Sequence, residues 1–220
     1  MRNPIQTLRF AVNFVRLIRD PNRVDLVLDL ADGTADSPVM KPILQRPEVA
    51  AFTARPLPPL RVDLPALRAL PLGTLGRTFA AFLDDHGFDP TGLHHSGDAD
   101  RTDLDRFKVH MQRSHDLWHT VLGFDTDVAG ELGLQAFYMA QLGTPLGYVL
   151  LAAGMLGTLF FHHDDGERRM EAITRGWQLG RRARPLFGAD WQRMFTWPLE
   201  QVRAHFGLTD ADIHATSLAA

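Results

Sequence analysis

Apolar residues recur at intervals of three and four through most of the chain, and a two-residue alternation persists nowhere. That period predicts helices throughout and no sheet. Near the start, Ile5, Leu8, Val12 and Val15 make one stripe, while Arg2, Arg9 and Arg16 recur every seven residues, with Arg23 continuing the series. The first 19 residues contain no acid. The result is an amphipathic helix with a basic edge. It suits docking on the rest of the chain, or a membrane surface. As a transit peptide it would be expected to contain serine, and it has none. A further helix is expected over 24–30. Pro38, Pro42, Pro47, Pro56, Pro58, Pro59, Pro65 and Pro71 then break up residues 31–73, because proline stops helices. Short helices such as 39–45 fit between the breaks. Leu57, Leu60, Val62, Leu64, Leu67 and Leu70 need burial, which makes this stretch an ordered wrap rather than a linker. Thr74 is expected to cap a helix running to about His86, with Leu75, Phe79 and Phe82 inward. Gly87, Phe88, Asp89 and Pro90 end it.

A turn is expected at Gly97, Asp98, Ala99 and Asp100, followed by a long helix over about 102–122. Beyond Glu131, residues 132–161 carry no charge at all. Thirty such residues would suggest a membrane span, but Gly143, Thr144 and Pro145 divide them into pieces shorter than the ~20 residues a span needs. A buried helical hairpin is the expectation. Gly147, Gly154 and Gly157 thin one side of its second helix, leaving room for a neighbouring helix or for an isoprenoid chain. His162, His163, Asp164 and Asp165 read as a solvated turn, since adjacent histidines point about 100° apart on a helix. Arg168, Arg169, Arg175, Arg181, Arg182 and Arg184 are expected to form an exposed face. Arg181 or Arg182 could meet a lipid phosphate or a substrate carboxylate. A last helix is expected over about 190–206, with Trp191, Phe195, Leu199 and Val202 inward and fraying after Asp212.

At 220 residues the chain is most economically a single all-α domain, residues 1–220, built as a helical bundle. Hydrophobic residues at 45% and a formal charge of −3 are ordinary for a globular protein. The acidic balance gives no footprint for nucleic acid. With no cysteine, disulfides, thiolate zinc sites and Fe–S clusters are excluded. No glycine-rich phosphate loop and no GxSxG motif is present.

The chemistry-bearing stretch lies in the long helix. His115 and His119 are four apart, so their side chains share one face and can hold one cation. A straight helix would carry Glu131 some ~18 Å further along its axis. The chain must fold back, and Gly123 can end the first helix while Asp125 or Thr126 caps the next. Glu131 then falls in the second turn of the new helix, facing the pair. Two imidazoles and one carboxylate leave positions open for water or substrate, which suits catalysis better than a structural role. Asp116 sits about 100° around from His115 and reads more readily as a group orienting an imidazole than as a direct ligand.

This HDxxH motif, followed after eleven residues by Glu, resembles the signature of the coenzyme Q (ubiquinone) biosynthesis protein 4 family, in the form of a bacterial-type member. The run Arg19-Asp20-Pro21, the run from Leu70 through Gly76, and the C-terminal runs Gly176 to Arg181 and Pro185 to Trp191 agree with it in order. The family pattern treats His115, Asp116, His119 and Glu131 as the metal site. The resemblance implies a divalent cation, with zinc first and Fe(II) accommodated by the same donors. It implies a lyase or oxidoreductase step in ubiquinone biosynthesis on a polyprenylated hydroxybenzoate-type ring, in which the C1 carboxyl is replaced by hydroxyl. A metal could stabilise charge as CO₂ leaves. The oxidative half needs an acceptor that zinc cannot supply, so O₂ or an iron centre is required. Expected partners are the prenylated ring, other ubiquinone-biosynthesis proteins, a membrane surface contacted peripherally and a second copy in a homodimer. The expected location is cytoplasmic, on the inner face of the cell membrane.

Three other readings compete. A non-catalytic scaffold could bind prenyl lipid and present it to partner enzymes. An HD-type phosphohydrolase would need His86, His94 or His95 upstream and Asp164 downstream, and leaves Glu131 unused. A zinc peptidase needs HExxH, and Asp116 is one methylene short of that base.

Overall fold

Side-chain N-caps start several of the helices in the computed structural model, which describes residues 4–35, 37–56, 60–89 and 102–214. The helices in chain order are α1 (Pro4–Arg19), α2 (Val24–Ala35), α3 (Met40–Leu44), α4 (Pro47–Thr53), α5 (Leu64–Arg68), α6 (Leu75–His86) and α7 (Asp103–Leu122). They continue as α8 (Val128–Gln141), α9 (Pro145–Phe161), α10 (Gly166–Arg182), α11 (Trp191–Met194), α12 (Leu199–His205) and α13 (Asp210–His214). Among the described residues there is no strand, only an isolated antiparallel bridge between Thr74 and Pro198. The all-α expectation is met. Pro90, the turn at 97–100, His94, His95 and Leu57 lie outside the described residues.

The contacts group the chain into two compact units. In the unit made of the described residues up to 43 and of 124–181, α1, α2 and α9 surround Leu17, Leu26, Leu30 and Ala153. Phe10, Phe14 and Ile18 of α1 pack against that cluster. Arg9 and Asn13 bond Asp29 of α2. The outward stripe of Ile5, Leu8, Val12 and Val15 stays exposed.

α8 and α9 form the expected hairpin, with Gly143 at φ 67° in the break. Every residue of α8 from Leu132 to Tyr138 is buried. The outer face of α9 is not: Tyr148, Met155, Leu159, Phe160 and Phe161 are exposed, so burial of the hairpin is one-sided. Among the described residues no helix is long and apolar enough to cross a membrane.

Neighbouring atoms crowd the small residues of this unit. A Cβ on Gly154 would lie 2.4 Å from Leu132 Cδ2, one on Gly147 2.7 Å from Met139 Cγ, and one on Gly157 2.9 Å from the Ile18 carbonyl. The space beside these three glycines is therefore taken by helix packing. At Gly154 the obstacle is the end of a flexible side chain. Gly154→Leu should accordingly cost about 1–3 kcal/mol in urea denaturation, without preventing folding. The approach of α8 to α10 is closer still, with a Cβ on Gly176 falling 1.9 Å from the Gly133 carbonyl oxygen.

In the other unit, residues 44–123 and 182–214, α7 buries Leu117, Trp118, Val121 and Leu122. Thr102 begins α7 with a reciprocal capping box to Asp105, and Gly123 ends it at φ 64°. Thr74 caps α6 as expected. The main chain on either side of Thr74 is tied to residues 195–199, with the Leu75 amide donating to Trp197 and the Leu199 amide to Gly73. The single helix expected over 190–206 is two, α11 and α12. Pro198 stands at the N-cap of the second and cannot continue the first. Residues expected to fray after Asp212 continue α13 to His214, held at its start by Asp212 accepting from the Thr209 amide and hydroxyl.

His110 of α7 is in ring contact with Phe52 and Phe187, and Phe107 stacks on Phe187. Its Nε2 accepts the Gly188 amide at 2.9 Å, so the ring is neutral. Burial first, and the charge of Arg113 second, push its pKa down to about 4. The unfolded chain takes up a proton near pH 6.5, whereas the folded chain does not until about pH 4. This contribution is present above pH 6.5 and is lost as pH falls towards 4. At pH 5 the loss should reach about 2 kcal/mol, at 1.36 kcal/mol per pKa unit. Chemical denaturation of wild type and His110→Gln at pH 7 and pH 5 checks it, since the variant should lack that share of the slope.

Candidate metal centre

Helix period places His115 and His119 on one face of α7, and their ring centroids are 4.8 Å apart. His119 is fully buried and His115 half-buried. Phe82 of α6 lies nearly parallel to the His119 ring at 5.9 Å, which restricts its rotation. His115 Nδ1 lies 3.2 Å from Asp116 Oδ1. A carboxylate can only accept, so the proton is on Nδ1 and Nε2 is left as the ligating nitrogen. Asp116 is buried with its carboxylate beside this ring, an arrangement able to orient an imidazole.

Four described residues after Gly123, the chain enters α8. Its N-cap is Asp127, whose side chain accepts the Gly130 amide, rather than Asp125 or Thr126. Glu131 consequently falls in the first turn of α8, not the second, and it is half-buried. His115 and His119 of α7 and Glu131 of α8 are the three described side chains that could hold one metal ion. Two neutral imidazoles and a carboxylate suit zinc and Fe(II) alike, so the donors fit a divalent cation without selecting one. No other group of three metal-binding side chains occurs among the described residues.

The remaining candidates are dispersed. Gly147, Gly154 and Gly157 face packing neighbours. Arg181 and Arg182 are exposed on the last turn of α10, and Arg182 is engaged by Asp212. His163 and Asp164 are exposed in a 3-10 turn, His163–Asp165. The arginine face is only partly exposed: Arg169 is 4% exposed and bonds Asp165 and Thr158. Arg175 stacks its guanidinium 4.0 Å from the centre of the Phe124 ring, and burial lowers its pKa.

Two arginines next to the ligand-bearing segments escape sequence reasoning. Arg203 donates from Nε to the Val121 carbonyl at 2.9 Å, capping the end of α7, and from Nη1 to Asp210. Arg168 reaches the Asp127 cap of α8. Their partners lie 41 and 82 residues away in the chain, so the sequence gives no signal for either role.

Fold and donor set together define an all-helical protein with a candidate mononuclear metal centre. The chain belongs to the coenzyme Q (ubiquinone) biosynthesis protein Coq4 family, whose pattern matches residues 5–212. A mitochondrial ubiquinone biosynthesis protein COQ4 from Pyricularia oryzae is 29% identical over 86% of this chain and 64% of its own length. A mitochondrial COQ4 homologue from Nematostella vectensis is 28% identical over 87% of this chain and 95% of its own. The human homologue is 29% identical over 86% of this chain and 68% of its own. A crystal structure of a Nostoc punctiforme protein shares the fold, with a TM-score of 0.78 at 24% identity, covering 94% of this chain and 97% of that one. These relatives correct the expected location. The curated homologues are mitochondrial, which conflicts with a cytoplasmic protein on the inner face of the cell membrane.

Proposed function

We propose that this chain acts in ubiquinone biosynthesis as a metal-dependent enzyme that replaces the C1 carboxyl of a polyprenylated hydroxybenzoate-type ring with hydroxyl. The observation that carries the reading is the donor set of His115, His119 and Glu131, an open set supported by an orienting carboxylate. A bound divalent cation would supply Lewis-acid stabilisation of charge on the ring's carboxylate or phenolate oxygen. His115, beside Asp116, and His119, beside Phe82, would present nitrogen donors whose rings are restrained by those neighbours. Burial of His119 keeps bulk water from that side. The new oxygen and the two-electron oxidation require a co-substrate such as O₂.

The test is accumulation of the carboxylated prenyl precursor in cells lacking the protein, and its turnover when wild type is restored. Asp116→Asn keeps the shape but removes the negative partner of His115, and should cost about 10–100-fold in metal affinity or turnover. Complementation by that variant at wild-type level would argue against catalysis.

A second reading, a non-catalytic scaffold for prenylated intermediates at a membrane surface, has its own support. α1 exposes Ile5, Leu8, Val12 and Val15 beside Arg16 and Arg19, and α9 exposes Tyr148, Met155 and Leu159. Apolar stripes edged by arginine suit a lipid interface. Vesicle co-sedimentation with full retention of function in His119→Ala would favour this reading over the first.

A further inference from the structure

The start of α8 is held by a relay of charged hydrogen bonds that begins deep in its own unit. Thr158 of α9 is buried, and its hydroxyl accepts from Arg169 Nη1 at 2.9 Å. Arg169 Nε donates to Asp165 Oδ2 at 2.7 Å. Arg168 grips both oxygens of the same carboxylate, Nε to Oδ1 at 2.6 Å and Nη2 to Oδ2 at 3.1 Å. Its remaining nitrogen, Nη1, donates to Asp127 Oδ2. Asp127 spends its other oxygen on the Gly130 amide at 2.8 Å, and its main-chain carbonyl accepts the Glu131 amide at 2.9 Å. The two arginines hold the Asp165 carboxyl below the usual carboxylate range, and the two carboxylates raise Arg168. Every link is therefore a charged contact or a cap, and the last of them lies at the backbone of Glu131.

We propose that Arg168 is a positioning residue for Glu131: it fixes the Asp127 cap, and the cap fixes the first turn of α8 from which Glu131 projects. This rests on the reading of Glu131 as a metal donor. A stability role does not account for the arrangement as well. The Arg168 side chain is more than half exposed, and exposed ion pairs contribute little to global stability. What a two-carboxylate grip provides is orientation. Arginine's planar fork supplies it where a single ammonium would not.

The experiment uses the full chain in four variants: Arg168→Ala, Arg168→Lys, Asp127→Asn and, as a control on the exposed face of α10, Gln178→Ala. Asparagine at 127 still caps a helix but no longer pairs with Arg168. Amide exchange is followed in the metal-free protein, and Co²⁺ is then titrated with its visible absorption recorded. In Arg168→Ala the Gly130 and Glu131 amides should exchange about tenfold faster. Co²⁺ affinity should fall about tenfold with a changed spectrum, the low end for groups that orient a ligand. Tm should stay within about 3 °C. Asp127→Asn should behave alike and not add to Arg168→Ala in the double variant. Arg168→Lys should recover only part, and Gln178→Ala should match wild type. Wild-type Co²⁺ uptake equalled by Arg168→Ala would overturn this role alone. A large Tm drop with faster exchange throughout α8 and α9 would also overturn it, as a merely structural effect. A wild-type chain that takes up no Co²⁺ would overturn the metal reading and this role with it.

Discussion

Replacing His119 by alanine should lower affinity for Zn²⁺ or Co²⁺ by about two orders of magnitude or more while leaving the helical circular dichroism intact. Four-ligand zinc sites bind with roughly 10–16 kcal/mol, so each ligand accounts for about 3 kcal/mol, or more than a hundredfold. The set has three protein donors, and a two-donor remnant should not stay loaded at micromolar metal. His119 is also fully buried against Phe82, so truncation leaves a void. His115→Ala, at a half-exposed position, separates the two effects: it should lose the metal with less cost in stability. Calorimetric titration of metal-free protein checks both. Micromolar binding retained in each single variant would dismiss the site. Glu131→Gln removes only charge and should weaken binding less than either.

The largest stability effect should come from Gly176→Val, at a position far from any donor. A Cβ there would sit 1.9 Å from the Gly133 carbonyl oxygen and 2.7 Å from its carbon. Those atoms belong to the α8 backbone, which cannot rotate aside. The cost should exceed the usual 1–3 kcal/mol of overpacking, reaching roughly 4 kcal/mol or loss of folding. Gly154→Leu is the contrast, since only the Leu132 side chain stands in its way. If both variants show equal midpoints in urea, the distinction between backbone and side-chain obstacles is wrong here.

Much of the site is legible in the sequence because it is local. An i, i+4 histidine pair needs only helix period, and Gly123 marks the end of α7 because its φ of 64° favours glycine. The choice of cap for α8 was not legible. Asp125, Thr126 and Asp127 are consecutive candidates, and the contact that favours Asp127 comes from Arg168, 41 residues on. The same limit hid buried Arg169 and Arg203, whose partners Thr158 and Val121 are remote in sequence. Pro198, by contrast, is a local signal inside the span expected over 190–206: proline cannot continue the first helix, and it stands at the N-cap of the second. For α9, a sequence apolar on every side cannot say which side meets protein. Its exposed face is a property of what packs on it, not of its own residues.

The crossing of α8 and α10 also has a genetic consequence. Where a bulky substitution strikes a side chain, a second mutation that trims the neighbour can restore fit, as Leu132→Ala should for Gly154→Leu. For a substitution at Gly176 the facing residue, Gly133, is already the smallest there is, and the atoms in conflict are its backbone atoms, common to every amino acid. No local suppressor is available to a selection. Revertants of a Gly176 lesion should therefore be true revertants, or carry unlinked changes that raise stability everywhere.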